Sequence, residues 1–186
     1  KRHSDYQYYW MIEYDVSFNG PWRHFFNAFS NNDSDLLAAW VARVGHQNLE
    51  HDTSGIYKVT GFETDVDNLM QAVFPVTRFS NRALKFVDEQ YQSGKWGYCE
   101  IVAPTLLKMH GYKISSLDGD FLSSGLFRGS LSFPFELLFL LPRNKLYHPV
   151  REMKVVFSMS NIGNALNILR PALGRMYKKS KCKVSL

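Results

Sequence analysis

Apolar and aromatic residues run unbroken from Tyr8 to Ile12, and the run extends to Val16 with Glu13 as its first charged interruption. A stretch of this kind reads as a strand buried on both faces, so the pattern predicts a central strand over 8–16. Asn19-Gly20-Pro21 then punctuates the chain. Pro21 suits the first turn of a helix that carries Trp22, Phe25, Phe26 and Phe29 on one face. Positions 36–44 are apolar but short, so periodicity alone fits either a strand or a helix; the strand is the reading adopted. Positions 45–61 are polar and rich in Gly, Ser, His and Asn, which predicts a surface loop long enough to serve function.

Val73 to Phe79 reads as another strand. Pro75 inside it predicts an edge position or a bend, because proline offers no N–H to a neighbouring strand. Ser80 or Asn81 can cap a helix through Leu84, Phe86 and Val87 toward Tyr91, closed by Ser93-Gly94. A second helix is expected from about Cys99 to His110, kinked or delayed by Pro104 and stopped at Gly111, followed by a strand over 112–117. Beyond Asp118 the periodicity weakens. Leu137–Leu141 reads as a strand-sized core piece and Pro142-Arg143-Asn144 as a turn. Strands alternating with helices predict an α/β sheet packed by helices, with irregular additions toward the C-terminal end.

A chain of 186 residues is long enough for one domain with a proper core, and 45% hydrophobic with 21% charged residues excludes disorder as the dominant state. No run reaches the roughly 18 apolar residues of a spanning helix, and nothing resembles a secretory leader. Two cysteines, Cys99 and Cys182, are too few for a disulfide framework; a reducing, cytoplasmic location is the simpler expectation. The net charge of +5 concentrates in the tail 161–186, where Arg175, Lys178, Lys179, Lys181 and Lys183 crowd together. Such a tail either contacts a polyanion or the periphery of an anionic membrane, or is simply a solvated terminus. No nucleic-acid partner is expected, since no basic-aromatic interleaving accompanies the charge. The chain enters its first apolar run within a few residues of Lys1, and the expectation is of a fragment whose preceding part supplies further strands of the same sheet.

The carboxylates of Glu13-Tyr14-Asp15 are two residues apart, and in a strand both would point to one side and converge on one cation. A hard divalent ion, Mn²⁺ or Mg²⁺, suits such a pair, since it binds through one or two carboxylates and completes its shell with substrate phosphate. The plainer alternative is that one carboxylate caps the next turn while the other pairs with Arg23 or another base. Glu100, after Trp96-Gly97-Tyr98-Cys99, can accept a proton from a substrate hydroxyl, or it can simply favour the first turn of its helix. His148, held before Pro149, can ligate a metal or contact a diphosphate, or satisfy a local hydrogen bond. No histidine or cysteine spacing suits zinc, and no phosphate-binding P-loop, dinucleotide fingerprint or hydrolase elbow is present.

Ile12-Glu13-Tyr14-Asp15-Val16, the aromatic Pro21-Trp22-Arg23-His24-Phe25-Phe26, Cys99-Glu100 ahead of Pro104-Thr105, and Tyr147-His148-Pro149-Val150 together resemble a GT-A-type glycosyltransferase. The likeness spans roughly residues 6 to 154 and is strongest to bacterial glycosyltransferase-like proteins with an I-E-Y-D-V strand. It implies a GT-A-like mixed sheet flanked by helices, with 1–160 as the C-terminal portion of that fold, lacking the nucleotide-binding strands that normally precede it. It implies transfer of a sugar from a nucleotide-sugar donor to a hydroxyl of a glycan or polysaccharide acceptor. Glu13 and Asp15 would stand in the place of the D-x-D motif and bind the donor diphosphate through Mn²⁺ or Mg²⁺. Glu100 would be the catalytic base, and His148 a further ligand or phosphate contact. The competing readings are a non-catalytic glycan- or polyanion-binding module and a metal-dependent phosphoester hydrolase, the latter needing more Asp, Asn or His ligands than cluster in the sequence.

Overall fold

The computed structural model describes residues 6–45, 52, 54–117, 119–122 and 132–152. The basic tail 161–186 lies outside them, as does part of the loop expected over 45–61. In chain order the elements are β1 (Tyr8–Ile12), β2 (Ser17–Phe18), α1 (Trp22–Ala28), β3 (Leu36–Arg43), β4 (Val59–Thr60) and β5 (Met70–Ser80). There follow α2 (Asn81–Gln92), β6 (Trp96–Gly97), α3 (Cys99–Met109), β7 (Ile114–Ser116), β8 (Phe133–Pro134), β9 (Leu146–Tyr147) and β10 (Val150–Arg151). The chain is thus mixed α/β. It divides into two compact units, one built from the described residues of Lys1–Glu13 and Asn31–Asp118, the other from those of Tyr14–Ser30 and Gly119–Leu186. No helix among the described residues is long and apolar enough to cross a membrane.

The first unit is organised by β5. Its sheet has the order β1-β5-β3-β7, with β1 and β3 antiparallel to β5 and β7 parallel to β3. The strand expected to be central is therefore at an edge, and of the two expectations for the strand with Pro75, an edge position or a bend, the irregularity is found and the edge position is not. The run beginning at Tyr8 forms an edge strand that ends at Ile12, with Met11 46% and Ile12 36% exposed. The proline-bearing strand is central. A bulge makes this possible: Ala38 pairs with Thr77 and Trp40 with Val73, so Phe74, Pro75 and Val76 together face only Ala39. Pro75 sits where the ladder needs no N–H from it, and on its other side it only accepts, its carbonyl taking the Glu13 N–H at 2.8 Å.

Helices cover one face of this sheet. Ser80 ends β5 and caps α2, its hydroxyl accepting from the Ala83 N–H at 3.2 Å. Ala83 and Val87 of α2 join Ala103 and Leu107 of α3 on Leu36, Ala38, Ala72 and Phe79. Helix α3 begins at Cys99 and contains Pro104 without a delayed start; Gly111 follows it at a φ of 74°. Thr105 docks α3 on β5, accepting from Met70 N at 3.0 Å. Burial of the continuous run Leu36-Leu37-Ala38-Ala39 on both faces explains its unbroken apolarity.

The other corner of this unit is tied by Asp35, which is 2% exposed. Its carboxylate accepts from Ser80 Oγ at 2.7 Å, Arg82 Nε at 2.6 Å, Arg82 Nη2 and the Lys113 N–H at 3.1 Å. One side chain thereby joins the start of β3, the cap of α2 and the approach to β7.

In the second unit β2 pairs antiparallel with β9, and β8 parallel with β10. Phe25 of α1 is fully buried among Phe18, Trp22, Phe29 and Phe121. The apolar run expected as a strand at 137–141 instead belongs to a 3-10 helix, Phe135–Leu140. Its three-residue period brings Leu138 and the following Leu141 into the core with Phe133, Tyr147 and Val150, while Phe139 is left 75% exposed. The expected turn after it is present, with Asn144 at a φ of 58°. Asn19 closes the unit by donating its side-chain amide to the carbonyls of Leu138 and Leu141 at 2.9 and 3.0 Å.

Replacing Asp35 with alanine is expected to cost roughly 1–3 kcal/mol of stability in urea unfolding, because the Ser80 hydroxyl and Lys113 N–H lose their acceptor. Burial works to raise the Asp35 pKa, but the bonds from Arg82, Ser80 and Lys113 more than offset it and hold the carboxyl below its ordinary 3.8. That stabilisation is therefore complete above the unfolded value and is lost as pH falls through the lower folded one. Asp35→Asn is expected to flatten this acid-limb dependence, measured as unfolding free energy between about pH 5 and 2.

Candidate metal centre

The backbone around Asp15 is clasped from the far end of the chain. Register Ser17↔Tyr147 in β2 and β9 brings the residues just before Ser17 alongside those just after Tyr147, and the Val150 N–H donates to the Asp15 carbonyl at 2.7 Å. The Asp15 side chain is buried at 8% exposure, whereas the intervening Tyr14 is 94% exposed. Glu13-Tyr14-Asp15 thus lies in the turn beyond β1 and not inside a strand as expected; the turn, not pleat alternation, sets the two carboxylates.

His148 Nε2 stands 3.5 Å from Asp15 Oδ1, and Arg151 Nη2 stands 3.8 Å from Asp15 Oδ2. Glu13 is two residues up the chain from Asp15 and exposed. One ligand atom from each of Glu13, Asp15 and His148 lies within 4.8 Å of the others, and this is the one such group among the described residues. A cation with ligand bonds of roughly 2.0–2.2 Å holds neighbouring donors about 3–4 Å apart, a spacing comparable to that of these three groups. The donor set, two carboxylates and an imidazole, fits a divalent ion: carboxylates suit Mg²⁺ and Mn²⁺, and the nitrogen tips the set toward Mn²⁺ or another transition ion. The plainer role foreseen for one carboxylate, an ion pair, also has its partner, and it is Arg151.

Glu100 stands in the first turn of α3, and both of its oxygens are engaged. Oε1 accepts from the Phe74 N–H at 2.6 Å, within the stretch of β5 that the bulge leaves without a ladder partner, and Oε2 accepts from the Tyr98 hydroxyl at 2.9 Å. The carboxylate thus completes the bulge. Burial, then the hydrogen bond and charge of Glu100, push the Tyr98 phenol up to about 12, with smaller contributions from Cys99 and Glu13. Burial and the Glu100 charge likewise raise the Cys99 thiol. Glu13, bonded to Pro75, and Glu100, bonded to Phe74, are therefore held by consecutive residues of β5. Gly97 positions this corner: at a φ of 149°, an added Cβ would stand 2.7 Å from both the Lys58 carbonyl and Val102 Cγ2.

Sequence reasoning missed Arg151 and Tyr98. Arg151 was legible only as the residue after the Tyr147–Val150 motif, and its approach to Asp15 depends on pairing between distant segments. Tyr98 was noted as an aromatic neighbour of Glu100, and its hydroxyl donates to that carboxylate from just before the first residue of α3.

A scan against protein-family models, a search of curated proteins and a search of solved structures each found no match.

Glu100→Ala is expected to destabilise the chain by roughly 1–3 kcal/mol in denaturant unfolding, since the Phe74 N–H loses its acceptor, whereas Glu100→Gln keeps a carbonyl oxygen there and should cost clearly less.

Proposed function

We propose that this chain is a metal-assisted glycosyltransferase, with Glu13, Asp15 and His148 holding Mn²⁺ or Mg²⁺ and Glu100 serving as base. The single observation that carries the reading is that one donor atom from each of those three groups lies within 4.8 Å of the others. A divalent ion there supplies charge neutralisation for a nucleoside diphosphate as it leaves. The protein's own part is to position and to move a proton. Asp15, pinned through its carbonyl by Val150, fixes the donor end of the site. Glu100 keeps Oε1 on Phe74 as an anchor, and Oε2 exchanges the Tyr98 hydroxyl for the acceptor hydroxyl. As the acceptor oxygen bonds to the sugar carbon and the bond to the diphosphate breaks, the acceptor proton passes to Glu100.

A binding module for glycans without turnover is the second reading. It is favoured by the exposure of Trp96 at 62% and Tyr98 at 45%, since aromatic faces open to solvent suit the apolar faces of sugar rings. The nucleotide-sugar donor, the glycan acceptor, a cytoplasmic location and peripheral membrane contact through the basic tail belong to the proposal as well.

Calorimetric titration of UDP and GDP, with and without Mn²⁺, separates the two readings. The transferase reading expects manganese-dependent nucleotide binding that Asp15→Asn abolishes, and turnover that Glu100→Gln removes while donor binding persists. Glycan binding that survives chelation and both substitutions, with no nucleotide bound under any metal condition, would replace it with the binding module.

A further inference from the structure

The 3-10 helix Phe135–Leu140 presents large apolar side chains to water. Phe135 is 62% exposed and Phe139 75%, while Leu137 and Leu140 beside them are only half-buried. Residues three apart lie above one another in such a helix, so the row that carries Leu138 and Leu141 into the core leaves Glu136 and Phe139 on a solvent-facing row. The segment is held in this setting. Asn19 donates its amide to the carbonyls of Leu138 and Leu141, and the Tyr147 hydroxyl donates to the Pro142 carbonyl at 2.9 Å. Leu138 and Leu141 already fill the core beneath, so the exposed ring of Phe139 is a standing cost in water that a covering surface would remove.

Charge decides what covers it. The unit formed by Tyr14–Ser30 and Gly119–Leu186 contains 12 Lys and Arg against 4 Asp and Glu, a net +8, whereas the unit formed by Lys1–Glu13 and Asn31–Asp118 contains 10 against 13, a net −3. The net +5 of the chain thus conceals one strongly cationic unit, and the protruding phenylalanines belong to it. Arg143 follows the helix, is exposed, and makes no hydrogen bond or ion pair among the described residues. Lys145 gives its amine to the Asp120 carbonyl, a neutral acceptor, and keeps its charge. Glu136 is the one acid in the sequence between positions 133 and 145. A nucleic acid or another hydrophilic polyanion would use this charge and leave the phenylalanines uncovered. A lipid surface uses both, because apolar side chains enter the boundary of the acyl chains while basic groups meet anionic headgroups.

We propose that Phe135 and Phe139 are the membrane-insertion point of this chain, set into an anionic lipid surface with Arg143 at the level of the headgroups. The assignment is independent of the metal centre. It goes beyond the contact suggested for the basic tail by naming a folded element that enters the lipid.

The test is co-sedimentation of the full chain with vesicles of phosphatidylcholine alone and of phosphatidylcholine mixed with phosphatidylglycerol, in salt of about 0.1 M. Binding is expected to the mixed vesicles. Phe139→Ser should lower the partition coefficient by about tenfold and Phe135→Ser by about fivefold, since each removes an inserted ring. Arg143→Gln should lower it by about threefold. Both phenylalanines are exposed, so the serine variants are expected to fold, and an unchanged circular dichroism spectrum checks each. Failure of the unmodified chain to bind the mixed vesicles overturns the proposal. Vesicle binding that both serine variants retain, but that changing Lys178, Lys179, Lys181 and Lys183 to Gln removes, also overturns it and assigns the contact to the tail alone. Heparin binding unaffected by the serine variants, with no vesicle binding, makes the cationic unit a polyanion site instead. A dimer in sedimentation velocity that Phe139→Ser dissociates, again with no vesicle binding, shows that a second copy of the chain covers this face, and overturns the membrane assignment.

Discussion

A proline in a central strand is the constraint on which the first unit depends. Pro75 cannot donate to a ladder, yet β5 is paired on both sides, so the strand must bulge where Pro75 lies and its neighbours must find other partners. Glu13 and Glu100 meet those needs: the Glu13 N–H goes to the Pro75 carbonyl, and the Glu100 carboxylate takes the Phe74 N–H. The candidate base therefore has a structural duty, and its position is set by a backbone defect in the sheet. That arrangement is economical, since a carboxylate already engaged through one oxygen is held in a single rotamer and presents the other in a defined direction.

The second unit reaches the same kind of precision by a different route. Its strands among the described residues are two residues long and cannot be held by ladder bonds alone. Side-chain amides and aromatic packing take over, through Asn19 on the 3-10 helix carbonyls and Phe25 within its ring cluster. The short pairing of β2 with β9 nevertheless brings His148 and Arg151 to Asp15. Buried charge here is matched by opposite charge, as an uncompensated carboxylate at 8% exposure would be costly.

Local signals in the chain were sufficient for much of this. Ser80 was readable as a cap because a hydroxyl before an amphipathic run satisfies an orphan N–H, and Gly111 as a stop because few other residues adopt its conformation. The apolar run at 36–44 allowed a strand or a helix, and the strand reading adopted for it is the one found at 36–43, while the α/β class followed from alternation of elements. The apolar run at 137–141 misled, since unbroken apolarity carries no period and fits a 3-10 turn as well as a strand. Contacts divide the chain into two units, each assembled from two separate stretches of sequence.

The amino-acid sequence by itself thus determined the cap of α2, the stop of α3 and the apolar run that β3 buries, and it singled out Glu13, Asp15, Glu100 and His148 as side chains to locate. These depend on interactions between residues a few positions apart. Only the tertiary structure decided that the Tyr8 strand is an edge, that Pro75 is central, and that Arg151 and Tyr98 attend the carboxylates. Strand order and register are set by which distant segments can satisfy one another's backbone groups and bury one another's side chains, and no local pattern encodes that choice.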